Sequence, residues 1–533
     1  MNLLKRWGER IGKPSGVAAA AAEPVVPGAP PPSPTTPSEP LERYDAWGLM
    51  AEQVTLLSRL LAEAGVEHAI LPEGTTRRPT LIVAAADGRR ALTVLARDAS
   101  THTWQVVAHP RRGEAGEPGR LLDLPDTRGL KALTLIRTVA TPDGRGLTDP
   151  AVSVDLELWR RVTDDTTPRR DGGTFPIGTL VAARRNRLVD YLEPDPWRRA
   201  QSAPNRWPTP PRPHVFDVVE PIDLVYTWVD GGDEAWQARK EAALGRLADA
   251  AHNPDAFVAA RFTDHDELRY SLRSVQAYAS WFRHIWLVTD GQTPDWLNTD
   301  HPRLTVVDHR DIFADPSALP VFNSHAIESQ LHHIDGLSER YLYVNDDVFF
   351  GQPVRPEDFF CGNGLAKLFP SSALLDPEGL NERDVPVLTA AKRSRALVEA
   401  EFGRTFSQKT QHVALPQVKA VLTELEQRFP REFDQVMRSR FRHPDDLAVP
   451  SSLALYWAYA TGRAVVGTLD YGYLDLSADT TGGKFDDWLA RRPFQCFCLN
   501  DSASDPDTAV DRDRRIREFL AAYYPLPSDF ERG

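Results

Sequence analysis

Cysteine is scarce in this chain: among 533 residues only Cys361, Cys496 and Cys498 are present. Three thiols so spaced cannot build a disulfide framework, and a reducing cytoplasm fits best. Cys496 and Cys498 alternate with apolar residues in "FQCFCLN", the pattern of a buried strand, so they read as packing rather than as metal or redox groups. Long apolar runs are also missing. Nothing reaches the ~18 residues needed to span a bilayer. Basic charge is outweighed: 62 Lys and Arg against 75 Asp and Glu leave a net charge of −13. That balance excludes nucleic acid as the main partner and disfavours capture by anionic lipid. The N-terminus "MNLLKRWGERIGKPSGVAAAAAE" is interrupted by charges and continues into a weakly apolar alanine tract, so it is not read as a signal peptide. A short interfacial helix over Asn2 to Ile11, with Leu3, Leu4, Trp7 and Ile11 on one face, is the alternative.

What is present is ample core material, 41% hydrophobic and 9% aromatic residues, in a chain long enough for two or three domains. Residues 1–41 end in a Pro/Ala-rich tether that lacks large apolar side chains. Residues 42–193 read as a small α+β accessory domain. In it the amphipathic "YDAWGLMAEQVTLLSRLLAEAG" is followed by the strand-like runs "PTLIVAAA", "ALTVLAR", "TWQVVAHP", "KALTLIRTVAT" and "SVDLELWRRV". Residues 194–214 are proline-rich and read as a linker. From 215 to 533 strands alternate with helices: "IDLVYTWVDG", "HIWLVTDG", "RLTVVDH" and "YLYVNDD" are short buried strands, and "DELRYSLRSVQAYASW" places Leu268, Leu272, Val275 and Ala279 at helical spacing. The alternation predicts an α/β fold with a mainly parallel sheet. A helical insertion over about 371–475 is expected to cap the sheet, and "FQCFCLND" to return to the core as a strand.

In such sheets ligands bind at the carboxyl ends of the strands. Asp230, Asp290 and the run Asn345, Asp346, Asp347 all leave strands at that edge. An acidic pair beside an asparagine supplies hard oxygen ligands for Mg²⁺ or Mn²⁺, which commonly accompany a diphosphate. The bland reading is a capped turn, but a doubly acidic turn between "YLYV" and "VFFG" is costly without a cation or hydrogen-bond partners. Asp264 or Asp266 in "RFTDHDELRYSLRS" suits the N-cap of a helix, while Arg269 and Arg273 one turn apart beside that N-terminus can hold phosphate. His325, His332 and His333 lack the spacing of a standard zinc motif and read as packing or capping. His412, Arg442 and His443 come from the helical segment. A histidine can take a hydroxyl proton, and an arginine can neutralise phosphoryl oxygens.

Taken in order, "IDLVYTWVDGGDEAW", "DHDELRYSLRSVQAYASWFRHIWLVTDGQTPDWLN", "LPVFNSHAIESQLHHIDGLSERYLYVNDDVFFGQPVRPEDFF", "QHVALPQVKAVLTELEQRFPREFD" and "FQCFCLND" resemble the signature blocks of the Stealth proteins. That family includes bacterial capsule and exopolysaccharide hexose-1-phosphate transferases and the catalytic part of the animal GlcNAc-1-phosphotransferase. The resemblance implies a glycosyltransferase-A-like (Rossmann-like) core. It also implies transfer of a sugar-1-phosphate from a UDP-sugar, typically UDP-GlcNAc, to a saccharide hydroxyl with release of UMP. The implied roles are Asp346, Asp347 and Asn500 for the metal, and His412, Asp264, Arg269 and Arg442 for the reaction, with His412 favoured over Asp264 as base. Asp230, Trp228, Arg273 and Asn323 are implied for donor binding. The competing readings are an ordinary metal-dependent glycosyltransferase releasing UDP and an inactive sugar-nucleotide-binding scaffold. Cytoplasmic placement at the inner membrane face, capsule-assembly partners and oligomerisation accompany the resemblance.

Overall fold

In the computed structural model the described residues are 40–123, 125–245, 264–381, 384–476, 481–500 and 506–532. The interfacial helix over Asn2 to Ile11 and nearly all of the tether lie outside them. Among the described residues, no helix is long and apolar enough to cross a membrane.

The N-terminal part is an eight-stranded sheet covered by two helices. The first, Ala46–Glu63, ends at Gly65, whose φ of 63° suits glycine. Four of the five expected strands are present: Thr80–Ala84, Gln105–Pro110, Leu130–Ala140 and Gly146–Arg161. The fifth, "ALTVLAR", is instead the end of a helix, Gly88–Arg97. Its buried residues Ala91, Leu92, Leu95 and Ala96 form a helical face rather than an alternating one. The proline-rich stretch also departs from the linker reading. Pro194–Ser202 is a helix with proline at its first turn, a position where the missing N–H costs nothing, and it buries Trp197 and Ala200 beside Trp159, Leu180 and Leu192. This part is tied to the rest by the buried Asp149 carboxylate, which accepts from the hydroxyls of Tyr44 (3.2 Å) and Tyr278 (2.7 Å).

The C-terminal part is built on five strands: β1 (Ile222–Thr227), β2 (Ile285–Thr289), β3 (Leu304–Asp308), β4 (Arg340–Asn345) and, later in the chain, β6 (Leu415–Val418). Their order is β3-β2-β1-β4-β6; the first four are parallel, and β6 runs antiparallel to β4. Parallel strands covered on both faces need near-continuous apolar runs, and β1 and β4 are buried along nearly their whole length. The expected helical insertion therefore holds one strand that belongs to the main sheet. Its helices are Pro386–Phe402, Lys419–Arg428, Pro430–Met437 and Ala454–Ala460. The expected returning strand forms a separate three-stranded sheet, in which β8 (Cys496–Asn500) lies between β5 (Val348–Phe350) and β7 (Tyr471–Asp475).

Helix α1 (Glu267–Tyr278) packs its Leu268, Leu272 and Val275 into the core. Two small serines on the same helix meet β5: Ser271 Oγ donates to the Val348 carbonyl (2.6 Å), and Ser274 Oγ accepts from the Phe350 N–H (3.0 Å). These bonds satisfy backbone groups that would otherwise be stranded where the chain leaves one sheet for another.

A charged group in β1 is explained by its partners. The fully buried Asp223 carboxylate accepts from Arg283 Nε (2.7 Å), Trp286 Nε1 (2.9 Å) and the Ser338 N–H (2.8 Å). Burial opposes its ionisation, but these donors hold its pKa below the ordinary value. Its contribution is therefore complete at neutral pH and is lost as acid takes the pH below the unfolded value of about 4 and through the folded one. Arg283 is 45% exposed and can rehydrate, so Asp223→Ala is expected to cost about 2–3 kcal/mol, read as a lowered denaturant midpoint at pH 7 and a smaller difference at pH 3.

Candidate active site

The chain passes from β1 to β2 and β3 on one side, then crosses to β4 on the other side of β1. The crevice between the carboxyl ends of β1 and β4 is thus the topological switch point, where open α/β sheets bind ligands. Thr227 and Asn345 are register partners there. Asp346 and Asp347 form the turn that carries β4 into β5, and Trp228 and Asp230 leave the neighbouring strand. Asn500 ends β8, one residue beyond Leu499, whose N–H donates to the Asp347 carbonyl (3.1 Å).

Pairing of β6 with β4, through Leu415 opposite Tyr343, delivers His412 to this turn. His412 Nε2 lies 3.1 Å from Asp347 Oδ1, and the Cys498 thiol donates to Asp347 Oδ2 at 3.3 Å. His412 is 43% exposed, so one side of its ring remains open. A second branch comes from helix α2 (Ser324–Glu328). The Tyr343 hydroxyl donates to Glu328 Oε1 (3.1 Å), stands 3.0 Å from Thr227 Oγ1 and accepts from Asn345 Nδ2 (3.3 Å). Arg442 donates to Ser324 Oγ (3.0 Å), and the negative charges of Glu328 and Asp446 counter the burial that lowers its pKa. One cleft therefore gathers Asp346, Asp347, His412, Glu328 and Arg442.

Its charge is unbalanced. Burial, followed by the adjacent Asp347 and Asp264 carboxylates, pushes Asp346 up to about 8. Burial and Asp266 raise Asp264, against the Asp266 N–H, Glu267 and the Trp228 indole, which act in the opposite direction. Glu267 is raised well above the carboxylate range by burial, with Asp346 and Asp264 adding to it against His265. Burial works against a charged His412, yet the Asp347 carboxylate, with Glu328 beyond it, raises its pKa. A half-buried aspartate raised by desolvation and by neighbouring carboxylates is a position that a cation would ionise. The carboxylates at this turn are hard oxygen donors of the kind a divalent metal takes, and ligand atoms of Asp347, His412 and Cys498 lie within 4.8 Å of one another.

Other expected site residues are used elsewhere. Asp230 Oδ1 accepts from the Gly232 N–H (2.7 Å), closing its own turn at the rim. Asp266, not Asp264, is the N-cap residue of α1; it is left-handed (φ 66°) and makes no side-chain cap. The Arg269 guanidinium stacks on Trp296 at 4.9 Å and lies 3.9 Å from both Asp266 and Glu531. Arg273 forks onto Glu531 and donates to the Tyr524 carbonyl (3.1 Å), which pins the C-terminal segment against α1. Asn323 is likewise engaged within the protein. Its Oδ1 caps α2 through the His325 N–H (3.2 Å), and its Nδ2 donates to Asp446 (2.8 Å) and the Ser439 carbonyl (3.1 Å). Both hydrogens of that amide are therefore engaged within the protein. Asp290, at the end of β2, pairs with Arg239 (2.8 Å).

Three participants were not expected from the sequence. Glu328 lies in "SHAIESQ", where the histidine drew the eye; the available signal was a glutamate beside the buried Ala326 of a short helix. Tyr343 reads as one more apolar residue of β4. Cys498 was read as packing; it is buried, but its thiol reaches Asp347.

Comparison with known proteins agrees with the sequence blocks. The Stealth conserved regions 1, 2, 3 and 4 match residues 220–248, 261–368, 411–459 and 487–533. The exopolysaccharide phosphotransferase SCO6023 of Streptomyces coelicolor is 39% identical over 507 residues, covering 91% of this chain and 83% of its own. CpsY of Mycobacterium tuberculosis, also named an exopolysaccharide phosphotransferase, is 38% identical over 437 residues, covering 78% and 77%. Among solved structures, the galactosyltransferase LgtC with donor and acceptor sugar analogs shares 10% identity over 56% of this chain and 96% of its own, at a TM-score of 0.28, too low to carry an argument. All four conserved regions occur in order, and a relative matches along most of both chains; the chain belongs to the Stealth family.

Proposed function

We propose that this enzyme moves a sugar-1-phosphate, GlcNAc-1-phosphate or another hexose-1-phosphate, from a UDP-sugar to a hydroxyl of a saccharide acceptor during capsule or exopolysaccharide synthesis, releasing UMP. The observation that supports the reading is the meeting of the Asp346–Asp347 turn with His412 at the switch point of the sheet, with Glu328 acting electrostatically on both His412 and Arg442. Such a cleft offers a seat for a diphosphate, a proton acceptor and a fixed cation together.

Asp346, Asp347 and Asn500 would hold Mg²⁺ or Mn²⁺, which when bound neutralises diphosphate charge. The acceptor hydroxyl attacks the phosphorus that bears the sugar, its proton passes to His412 Nδ1, the ring nitrogen not engaged by Asp347, and the P–O bond to the UMP phosphate breaks. The bond between the sugar and its phosphate is untouched, so the anomeric configuration is kept. Arg442 steadies the phosphoryl oxygens as charge shifts onto the leaving phosphate. Ser324 holds that guanidinium, and the Glu328 charge, itself held by Tyr343, favours its ionised form.

The test is incubation with a panel of UDP-sugars, Mg²⁺ and capsule-type oligosaccharides, followed by mass spectrometry of both products. A gain of hexose plus phosphate on the acceptor, with UMP, is expected. A gain of hexose alone, with UDP, identifies an ordinary glycosyltransferase and defeats the proposal; no turnover with any donor favours a scaffold. Within the same assay Arg442→Ala is expected to lower kcat by about a hundredfold with little change in donor KM, because the guanidinium acts on charge that develops in the transition state.

A further inference from the structure

A second group of ligating side chains lies apart from this cleft. His332 and His333, neighbours in the 3₁₀ turn Leu331–His333, both face helix α3 (Lys419–Arg428) and converge on a single oxygen. Each Nε2 stands 2.9 Å from Glu426 Oε2. The three ligand atoms lie within 4.8 Å of one another.

Donor and acceptor accounting calls for a cation, a proton or a metal ion, between His333 and Glu426. His333 Nδ1 is 2.9 Å from the Ile312 carbonyl. A carbonyl only accepts, so Nδ1 carries the hydrogen, and in a neutral imidazole Nε2 then presents a lone pair. That lone pair is aimed at a carboxylate oxygen, another acceptor, at hydrogen-bond distance. Something positive must lie between them. An extra proton on His333, with His332 donating its own Nε2–H, would serve the two contacts one each; a single metal ion serves both histidines and the carboxylate at once.

We propose that His332, His333 and Glu426 form a metal site separate from the reaction centre, suited to Zn²⁺. Two imidazole nitrogens and one carboxylate oxygen are a borderline nitrogen and oxygen donor set of the kind zinc takes in four-coordinate sites. Access is one-sided: the His332 side chain is 2% exposed, whereas those of His333 and Glu426 are 27% and 29% exposed, leaving water the fourth position. The Ile312 carbonyl fixes the tautomer of His333, as outer partners of zinc-bound histidines do. Binding expels any proton held between Nε2 and Oε2 to solvent. The site joins the turn that follows Glu328 to the helix that follows β6, so it clamps two segments that each supply a residue to the cleft.

The test uses the full chain carrying Asp347→Ala, which breaks the second such cluster among the described residues, Asp347, His412 and Cys498. After chelator treatment and dialysis, calorimetric titration with Zn²⁺ alone is expected to show one equivalent bound, and Co²⁺ is expected to give the visible bands of a four-coordinate ion. Adding Glu426→Gln, which keeps shape and can still accept from a histidine, should weaken zinc binding at least about tenfold and remove the cobalt bands. His333→Gln should do the same, with circular dichroism showing both variants folded. Absence of zinc binding in the Asp347→Ala chain, or binding unchanged by Glu426→Gln, overturns the proposal.

Discussion

Asp347→Ala is expected to lower the rate of UMP release by about four orders of magnitude while leaving the protein folded. The side chain does three things at the rim. One oxygen meets His412 at 3.1 Å, the other accepts the Cys498 thiol at 3.3 Å, and the carboxylate lies beside Asp346 in the proposed metal set. Losing the charge stabilisation a divalent ion supplies is worth about 5 kcal/mol of barrier, which corresponds to that factor in rate. The fold should survive, because the link from this turn to β8 runs through the Asp347 backbone carbonyl and not its side chain. Asp347→Asn keeps the volume and the contact to His412, and should still lose most activity while needing far more Mg²⁺. Turnover of either variant within tenfold of the parent, at ordinary Mg²⁺, would remove the acidic turn from the reaction.

How far the sequence discloses this arrangement depends on the range of the interactions. The β4 strand and its acidic turn were readable because an apolar run is ended abruptly by two charges, a local contrast. The parallel sheet was readable from alternation, and α1 from its repeat of Leu268, Leu272 and Val275. Short apolar segments were ambiguous. Ala91 to Arg97 suits a strand by composition, and only its packing partners make it helical. Pro194 looks like a breaker until its place at the first turn of a helix is seen. Arginines were the least legible: Arg269 and Arg273 sit beside an acidic helix start in sequence, yet Glu531, far along the chain, takes Arg273 and lies near Arg269. Glu328 was overlooked for the same reason in reverse, since its partner Tyr343 belongs to another element. The identity of a helix or strand is largely local, whereas the role of a charged side chain is decided by what the fold brings opposite it.

His412→Ala is expected to lower kcat by about a thousandfold, within the usual range for loss of a positioned base, with little effect on donor KM. The choice lies between His412 and Asp264, and their surroundings differ in a way that bears on the chemistry. Asp264 sits among Asp266, Glu267 and Asp346 and is raised by burial and by Asp266. Its carboxylate is placed to add negative charge behind the metal set. His412 is fixed on one side by Asp347 and open on the other, the disposition of a base that must meet an incoming hydroxyl. A His412 contact with Asp347 also favours the charged imidazolium formed after proton transfer, so the pair is stabilised as the reaction proceeds. Asp264→Asn should therefore act mainly on the Mg²⁺ requirement and the donor KM, with a smaller loss in kcat. Free imidazole should restore part of the activity of His412→Ala and none of that of Asp264→Asn. If His412→Ala instead kept its kcat within tenfold while Asp264→Asn lost a thousandfold, the proton would leave through Asp264 and the histidine would be a positioning residue for Asp347.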